Sequence, residues 1–356
     1  MVSVFHNHRP RQNREPRVSF TSYTIRWVIS LRTLIVCKMK NVVLVLLFVL
    51  PLALADLRVG FYNSTCPQAE SIVRQVIQKR FRADQSITAA LLRMHFHDCF
   101  VRGCEASILI DSTATKPSEK TAGPNFSVRG YDIIDEAKKS LEAACPSTVS
   151  CADIITLATR DSVFLAGGPS YNVPTGRRDG LVSNPDEVDL PAPSLSVSEA
   201  LQAFTAKGFT LTEMVTLLGG HSVGVAHCGL FEDRLSNFQG TGAPDPTMDS
   251  SLVAKLKGIC GNSTSNDPTA FLDQSTSFIM DNQFYKQIMQ KKGVLQIDQE
   301  LAVDKSSAGI VSRFASDANS FKKSFASAMV KMGNVQVLTG NAGEIRRNCR
   351  AFNQPK

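Results

Sequence analysis

Apolar positions recur every three to four residues over most of the chain, and strict alternation is scarce. Ala69, Ile72, Val73, Val76, Ile77 and Phe81 form one such stripe behind Pro67, a residue suited to a first helical turn. Tyr131–Ala144 and Ala152–Leu165 carry further helical stripes. Ser196 with Glu199, and Thr210 with Glu213, have the spacing of capping boxes, so they predict two successive helices with Gly208 as the stop between them. Gly167-Gly168-Pro169, Asn184–Pro193 and Gly240–Pro246 read as loops. No internal repeat or low-complexity linker interrupts the pattern. The expectation is one mainly α unit with very little β structure.

The pattern changes near the N-terminus. Met39-Lys40 precede an apolar run from Val42 to Leu54, and Ala53-Leu54-Ala55 has the small-x-small form of a cleavage site before Asp56. A membrane span needs about 20 apolar residues, more than this Pro51-interrupted run supplies. The expected organisation is an atypical extension over residues 1–38, a secretory signal over 39–55 and the functional domain over 56–356. Met39 offers an alternative translation start. The formal charge of +7 traces to the leader, where eight of the 39 basic residues and one of the 32 acidic residues lie before Asp56. The remainder has equal numbers of each, which removes any charge argument for nucleic acid. Once the signal is removed, nothing calls for a membrane.

Cysteine usage agrees with export. Cys37 lies in the leader, and Cys66, Cys99, Cys104, Cys145, Cys151, Cys228, Cys260 and Cys349 form an even set that reads as four disulfides, with the pairing left open by spacing alone. No pair of close Cys/His doublets has zinc-ligand spacing. Sequons begin at Asn63, Asn125 and Asn262.

The chemistry concentrates in Arg93-Met94-His95-Phe96-His97-Asp98-Cys99-Phe100-Val101-Arg102-Gly103-Cys104. Helical residues i and i+4 share a face, so Arg93 and His97 project together. A permanent cation beside a titratable base suits proton abstraction with stabilisation of the developing negative charge. His95 points to another face and reads as structural. A second candidate, His221, stands in Leu217-Leu218-Gly219-Gly220-His221-Ser222-Val223-Gly224, where paired glycines permit a close approach to the backbone.

These two motifs together resemble the signature of the class III secreted plant haem peroxidases, and the resemblance runs from about Leu57 to Asn353. It implies two helical lobes sandwiching one haem b. His97 is then the base that moves a proton between the oxygens of hydrogen peroxide, Arg93 stabilises the departing oxygen, Phe96 covers the iron, and Asn125 orients His97. Orientation by Asn125 requires a buried, unglycosylated side chain despite its sequon. His221 matches the axial iron ligand, with Asp298 taking its Nδ1–H and lending it anionic character.

The same resemblance implies two calcium ions. Asp98, Val101, Gly103, Glu105 and Ser107, with Glu119 through water, match a distal site; Ser222, Asp273, Thr276, Ile279 and Asp281 match a proximal one. Glu105 replaces the usual aspartate and Ser222 the commoner threonine. The implied disulfides are Cys66–Cys145, Cys99–Cys104, Cys151–Cys349 and Cys228–Cys260. Pro191, in Leu190-Pro191-Ala192-Pro193, matches the edge where phenolic donors dock. Tyr171 stands where a tryptophan is frequent, and Asp153 with Arg177 reads as a structural ion pair.

The implied function is a secreted, monomeric peroxidase of the cell wall and apoplast. It oxidises phenols by one-electron steps, with roles in peroxide removal, oxidative stress and lignin or wall coupling. The chain's end soon after Cys349 fits that compartment. A non-catalytic wall protein or a haem carrier would have no use for the Arg93–His97 pair. A catalase-like enzyme is the nearest mechanistic rival, separable by dependence on a phenolic donor.

Overall fold

The computed structural model describes residues 57–261 and 268–354, all within the unit Ala55–Lys356. Residues 1–38 and 39–55, expected to be an extension and a secretory signal, lie outside the described residues, as do the sequon at Asn262 and the final residue Lys356.

The described chain is mainly helical. Four helices come first: α1 Ala69–Ala83, α2 Ile87–Val101, α3 Tyr131–Ala144 and α4 Cys151–Leu165. The sequence stripe of α1 buries Val73, Val76 and Ile77, although its helix begins two residues after Pro67. α1 packs on α3 and α4, and α2 packs on α4. Val73, Ile77, Leu91, Ile134, Leu141 and Ile155 are central to this first core.

A second core is built by the later helices: α5 Val197–Ala206, α6 Leu211–Leu218, α7 Asp233–Ser236, α8 Ser250–Gly261, α9 Gln283–Met289, α10 Gln296–Val303, α11 Ala308–Ser316 and α12 Ala318–Met332. Phe209, Phe231, Phe284, Phe314, Phe321 and Phe325 are fully enclosed there. Each such ring contributes roughly 1.5–3 kcal/mol relative to an exposed one. Both capping boxes are formed: Ser196 and Glu199 open α5, Thr210 and Glu213 open α6. Gly208, at φ +85°, makes the left-handed turn between them.

α2 belongs to both cores. Leu91 and Met94 enter the first, Cys99 and Phe100 the second. A helix buried on nearly all sides carries no one-sided stripe.

The two three-residue strands are β1 Val225–His227 and β2 Thr269–Phe271, paired antiparallel with Val225 opposite Phe271. Four disulfides staple the chain: Cys66–Cys145, Cys99–Cys104, Cys151–Cys349 and Cys228–Cys260. Asp153 and Arg177 form a buried ion pair at 2.7 Å, and the Tyr62 hydroxyl donates to the same carboxylate at 2.7 Å. Removing one partner of such a pair strands a buried charge, so the pair ties the first turn of α4 to the later segment around Arg177. Tyr171 packs against both cores.

Candidate active site

A cavity of ≈ 510 Å³ is lined by residues of α2, the 190–193 segment, the turn after α6, and α12. Arg93, Phe96 and His97 reach it from α2, His221 from the turn, and Pro191 from the segment. Most of the remaining wall is aliphatic, with Leu92, Leu217, Leu218, Val223, Leu295 and Met329 among it. A volume of this size with few polar groups suits a largely buried organic cofactor.

His97 Nδ1 lies 2.6 Å from Asn125 Oδ1. The amide oxygen can only accept, so Nδ1 carries the proton and Nε2 is the basic nitrogen. Asn125 is itself fixed, because its Nδ2 donates to the Glu119 carbonyl at 2.8 Å and the residue is buried. Burial, then the adjacent Arg93 charge, hold the His97 imidazole down to about 4. His97 is therefore neutral at ordinary pH. Arg93 Nε donates to His97 Nε2 at 3.3 Å, while its other nitrogens donate to Ser127 Oγ at 2.9 Å and the Pro124 carbonyl at 2.8 Å. Phe96 is anchored against Phe100, with ring centroids 4.2 Å apart.

His221 has the opposite electrostatics. Its Nδ1 lies 2.7 Å from Asp298 Oδ1, and Asp298 is buried. Burial disfavours protonation, but the Asp298 charge and hydrogen bond outweigh it and raise the imidazole above its usual range. The two glycines before it divide their work. A Cβ on Gly219 would lie 2.3 Å from the Tyr285 hydroxyl, so this glycine serves helix packing; a Cβ on Gly220 would meet open space, and Gly220 lines the cavity. Close approach to a cofactor therefore concerns Gly220 alone.

Two oxygen-rich loops flank the histidines. In the first, Asp98 Oδ1, Glu105 Oε1, Ser107 Oγ and both carboxylate oxygens of Glu119 are buried and meet no hydrogen-bonding partner in the protein. Burial, followed by the neighbouring Glu105 charge, pushes Asp98 well above the carboxylate range. Burial likewise pushes Glu105 and Glu119 up to about 7. Buried acids without partners are costly, and a hard cation with oxygen ligands meets that need. Gly103 is required here at φ +103°, since a Cβ would lie 2.3 Å from the Gln336 carbonyl oxygen. The longer Glu105 side chain occupies the space over Gly180, where a Cβ would fall 1.0 Å from Glu105 Oε2. The Val101 carbonyl accepts from Lys207 Nζ at 2.9 Å.

The second loop is already knitted together. Ser222 Oγ donates to the Ile279 carbonyl at 2.9 Å, Thr276 Oγ1 lies 3.2 Å from both Asp273 Oδ2 and Asp281 Oδ1, and Asp273 Oδ1 accepts from the Ser275 and Thr276 amides. All five sequence candidates converge there.

Sequence reasoning missed Ser127, Pro124, Lys207 and Gly180. Ser127 was visible only as a sequon hydroxyl, and the others carried no local signal. His95 is buried beside the Cys99–Cys104 sulfurs, but those sulfurs are bonded to each other and leave no thiolate for a metal. His227 lies on β1 and lines the cavity.

The family model described as Peroxidase matches residues 73–317. Among curated relatives, Peroxidase 57 of Arabidopsis thaliana is 62% identical over 310 residues, covering 87% of this chain and 97% of that protein. Peroxidase 44 of Arabidopsis thaliana is 62% identical over 307 residues, covering 86% and 96%. Peroxidase 5 of Vitis vinifera is 46% identical over 303 residues, covering 84% and 92%.

Proposed function

The chain belongs to the class III plant peroxidases, haem enzymes that use hydrogen peroxide, and from that premise we propose which of its residues do the work. Haem, when bound, supplies the iron at which peroxide reacts and through which single electrons pass. His221 would hold the iron through Nε2, with Asp298 fixing the ring and making it a stronger donor. His97 would take a proton from one peroxide oxygen at Nε2 and return it to the other, which leaves as water. Arg93 would donate hydrogen bonds to the departing oxygen. Asn125 keeps the His97 tautomer that makes this transfer work, and Phe96 excludes bulky molecules from the inner cavity. In the balance, two donors each lose one electron and one proton, the O–O bond breaks, and two waters form.

The observation that carries this reading is a single cavity holding a neutral imidazole beside a guanidinium, and a second imidazole polarised by a carboxylate. Donors would be phenols docking along the Leu190–Pro193 edge, where Pro191 borders the cavity. Calcium would be held at Asp98, Val101, Gly103, Glu105 and Ser107, with Glu119 through water, and at Ser222, Asp273, Thr276, Ile279 and Asp281. The unsatisfied carboxylate oxygens support the first site and the convergence of oxygen ligands the second.

Residues 39–55 would direct a monomeric domain, 56–356, to the apoplast and cell wall. Among the described residues no helix is long and apolar enough to cross a membrane. Roles in peroxide removal, oxidative stress and wall phenol coupling follow from that placement. Both side-chain atoms of Asn125 are engaged in a buried site, so its sequon would stay empty; a glycan found there by peptide mass spectrometry would contradict the assigned role. The test of the whole reading is the visible spectrum of the purified holoenzyme before and after one equivalent of peroxide, then with a phenol. The spectrum should change with peroxide and return with phenol; decay that ignores the phenol would favour a catalase-like reaction.

A further inference from the structure

The β1–β2 ribbon carries an apolar surface that the cavity does not absorb. Ala226 and Ala270 face inward, while their neighbours Val225 and Phe271, directly opposite one another, are 45% and 40% exposed. Directly paired residues share a face, so these two side chains stand together in solvent. Phe278, 39% exposed, meets the Phe271 ring edge-on with centroids 5.4 Å apart. Ile279 follows at 48%. Val225 also lines the cavity, so an exposed Val225 marks its opening and the apolar strip begins at that opening. Contiguous exposed apolar side chains of this kind mark binding surfaces more often than chance.

We infer that Val225, Phe271 and Phe278 form a docking ledge for phenolic oligomers, holding the inner rings while the terminal ring stands at the cavity opening. The chemistry of the strip selects this occupant. It presents an aliphatic side chain and two aromatic rings with no charge among them, which suits neutral aromatic units by edge and face contacts. Continuity with the opening selects a ligand that must also reach the cavity. The reaction itself supplies such ligands, because two phenol radicals that couple form one C–C or C–O bond and give a larger phenol. A ledge beside the opening lets the enzyme act again on those products. The inference rests on the reading that phenols are the donors.

The test compares a monomeric phenol with a short oligomer of the same phenol as donors to the holoenzyme. Wild type is set against Phe271→Ser, Phe278→Ser and the double variant, with the thermal midpoint recorded for each. Loss of the two ring contacts should raise KM for the oligomer about tenfold in the double variant and leave the monomer unchanged. The single variants keep the question answerable if the double variant folds poorly. Equal changes for both donors, or an unchanged oligomer KM, would overturn the ledge. A wild-type dimer that dissociates in the variant with unchanged oligomer kinetics would assign the strip to a second copy and overturn it too. Wild type that oxidises neither phenol would sink the phenol reading along with the ledge, an outcome distinct from a failure of the ledge alone.

Discussion

The two imidazoles of the cavity are the same chemical group placed in opposite electrostatic states. His97 faces an amide and a guanidinium, and both burial and the cation keep it neutral. His221 faces a carboxylate, which overcomes burial, accepts the Nδ1 proton and makes the ring the more basic of the two. The loops beside them differ in the same sense. The acids near His97 bury carboxylate oxygens that no hydrogen bond satisfies, whereas the oxygens near His221 already bond one another. The partners each ring meets, rather than the rings themselves, separate a base from a ligand.

The contrast breaks most severely at His97. His97→Ala should slow the spectral response to one equivalent of peroxide by about 10²- to 10⁴-fold, with haem absorption retained, measured by stopped flow. A loss below tenfold would show that another group moves the proton. Asp298→Asn should make His221 resemble His97 in having a neutral partner. Haem retention should weaken about 10- to 100-fold, read by transfer of haem to a competing apoprotein.

The loops give a smaller effect with a definite sign. Glu105 and Glu119 have folded values raised to about 7 in the protein without cation, above their ordinary value of 4.5. Their contribution to stability is therefore complete below that ordinary value and is lost as pH rises toward about 7. Chelator-treated protein should accordingly melt lower as pH rises through that window, by on the order of 5 °C, while calcium-loaded protein should not. Parallel melting curves for the two forms would remove the first loop from consideration as a cation site. The smallest effect is a shift in pH profile. Because His97 must be neutral to accept a proton, the wild-type rate should fall as pH drops through about 4. Asn125→Asp places a carboxylate on the ring and should move that limb upward by about one unit or more. An unmoved limb would mean that His97 does not set it.

Much of the scaffold was legible because its signals are local. The capping boxes at Ser196 and Thr210 need only a three-residue spacing, and α1 shows its buried stripe plainly. α2 was harder, since a helix shared by two cores is apolar on nearly every face and loses its periodicity. Within the site, Arg93 and His97 could be joined by helical geometry alone. Ser127 could not be linked to Arg93 by any pattern, because a loop closes back onto the helix over 34 positions. Gly180 likewise reads as an ordinary turn residue until Glu105 is seen filling the space above it.

The chain's order of residues determined the helices, the export-type cysteine set, and the chemical identity of each candidate group, since these depend on neighbours within a few positions. Only the tertiary structure decided which nitrogen of each histidine is basic, which carboxylates are left without partners, and that Val225 and Phe271 share one exposed face. Those properties arise from contacts between segments far apart in the chain. Burial and the charge of the group across the gap set them, and neither exists until the chain has folded.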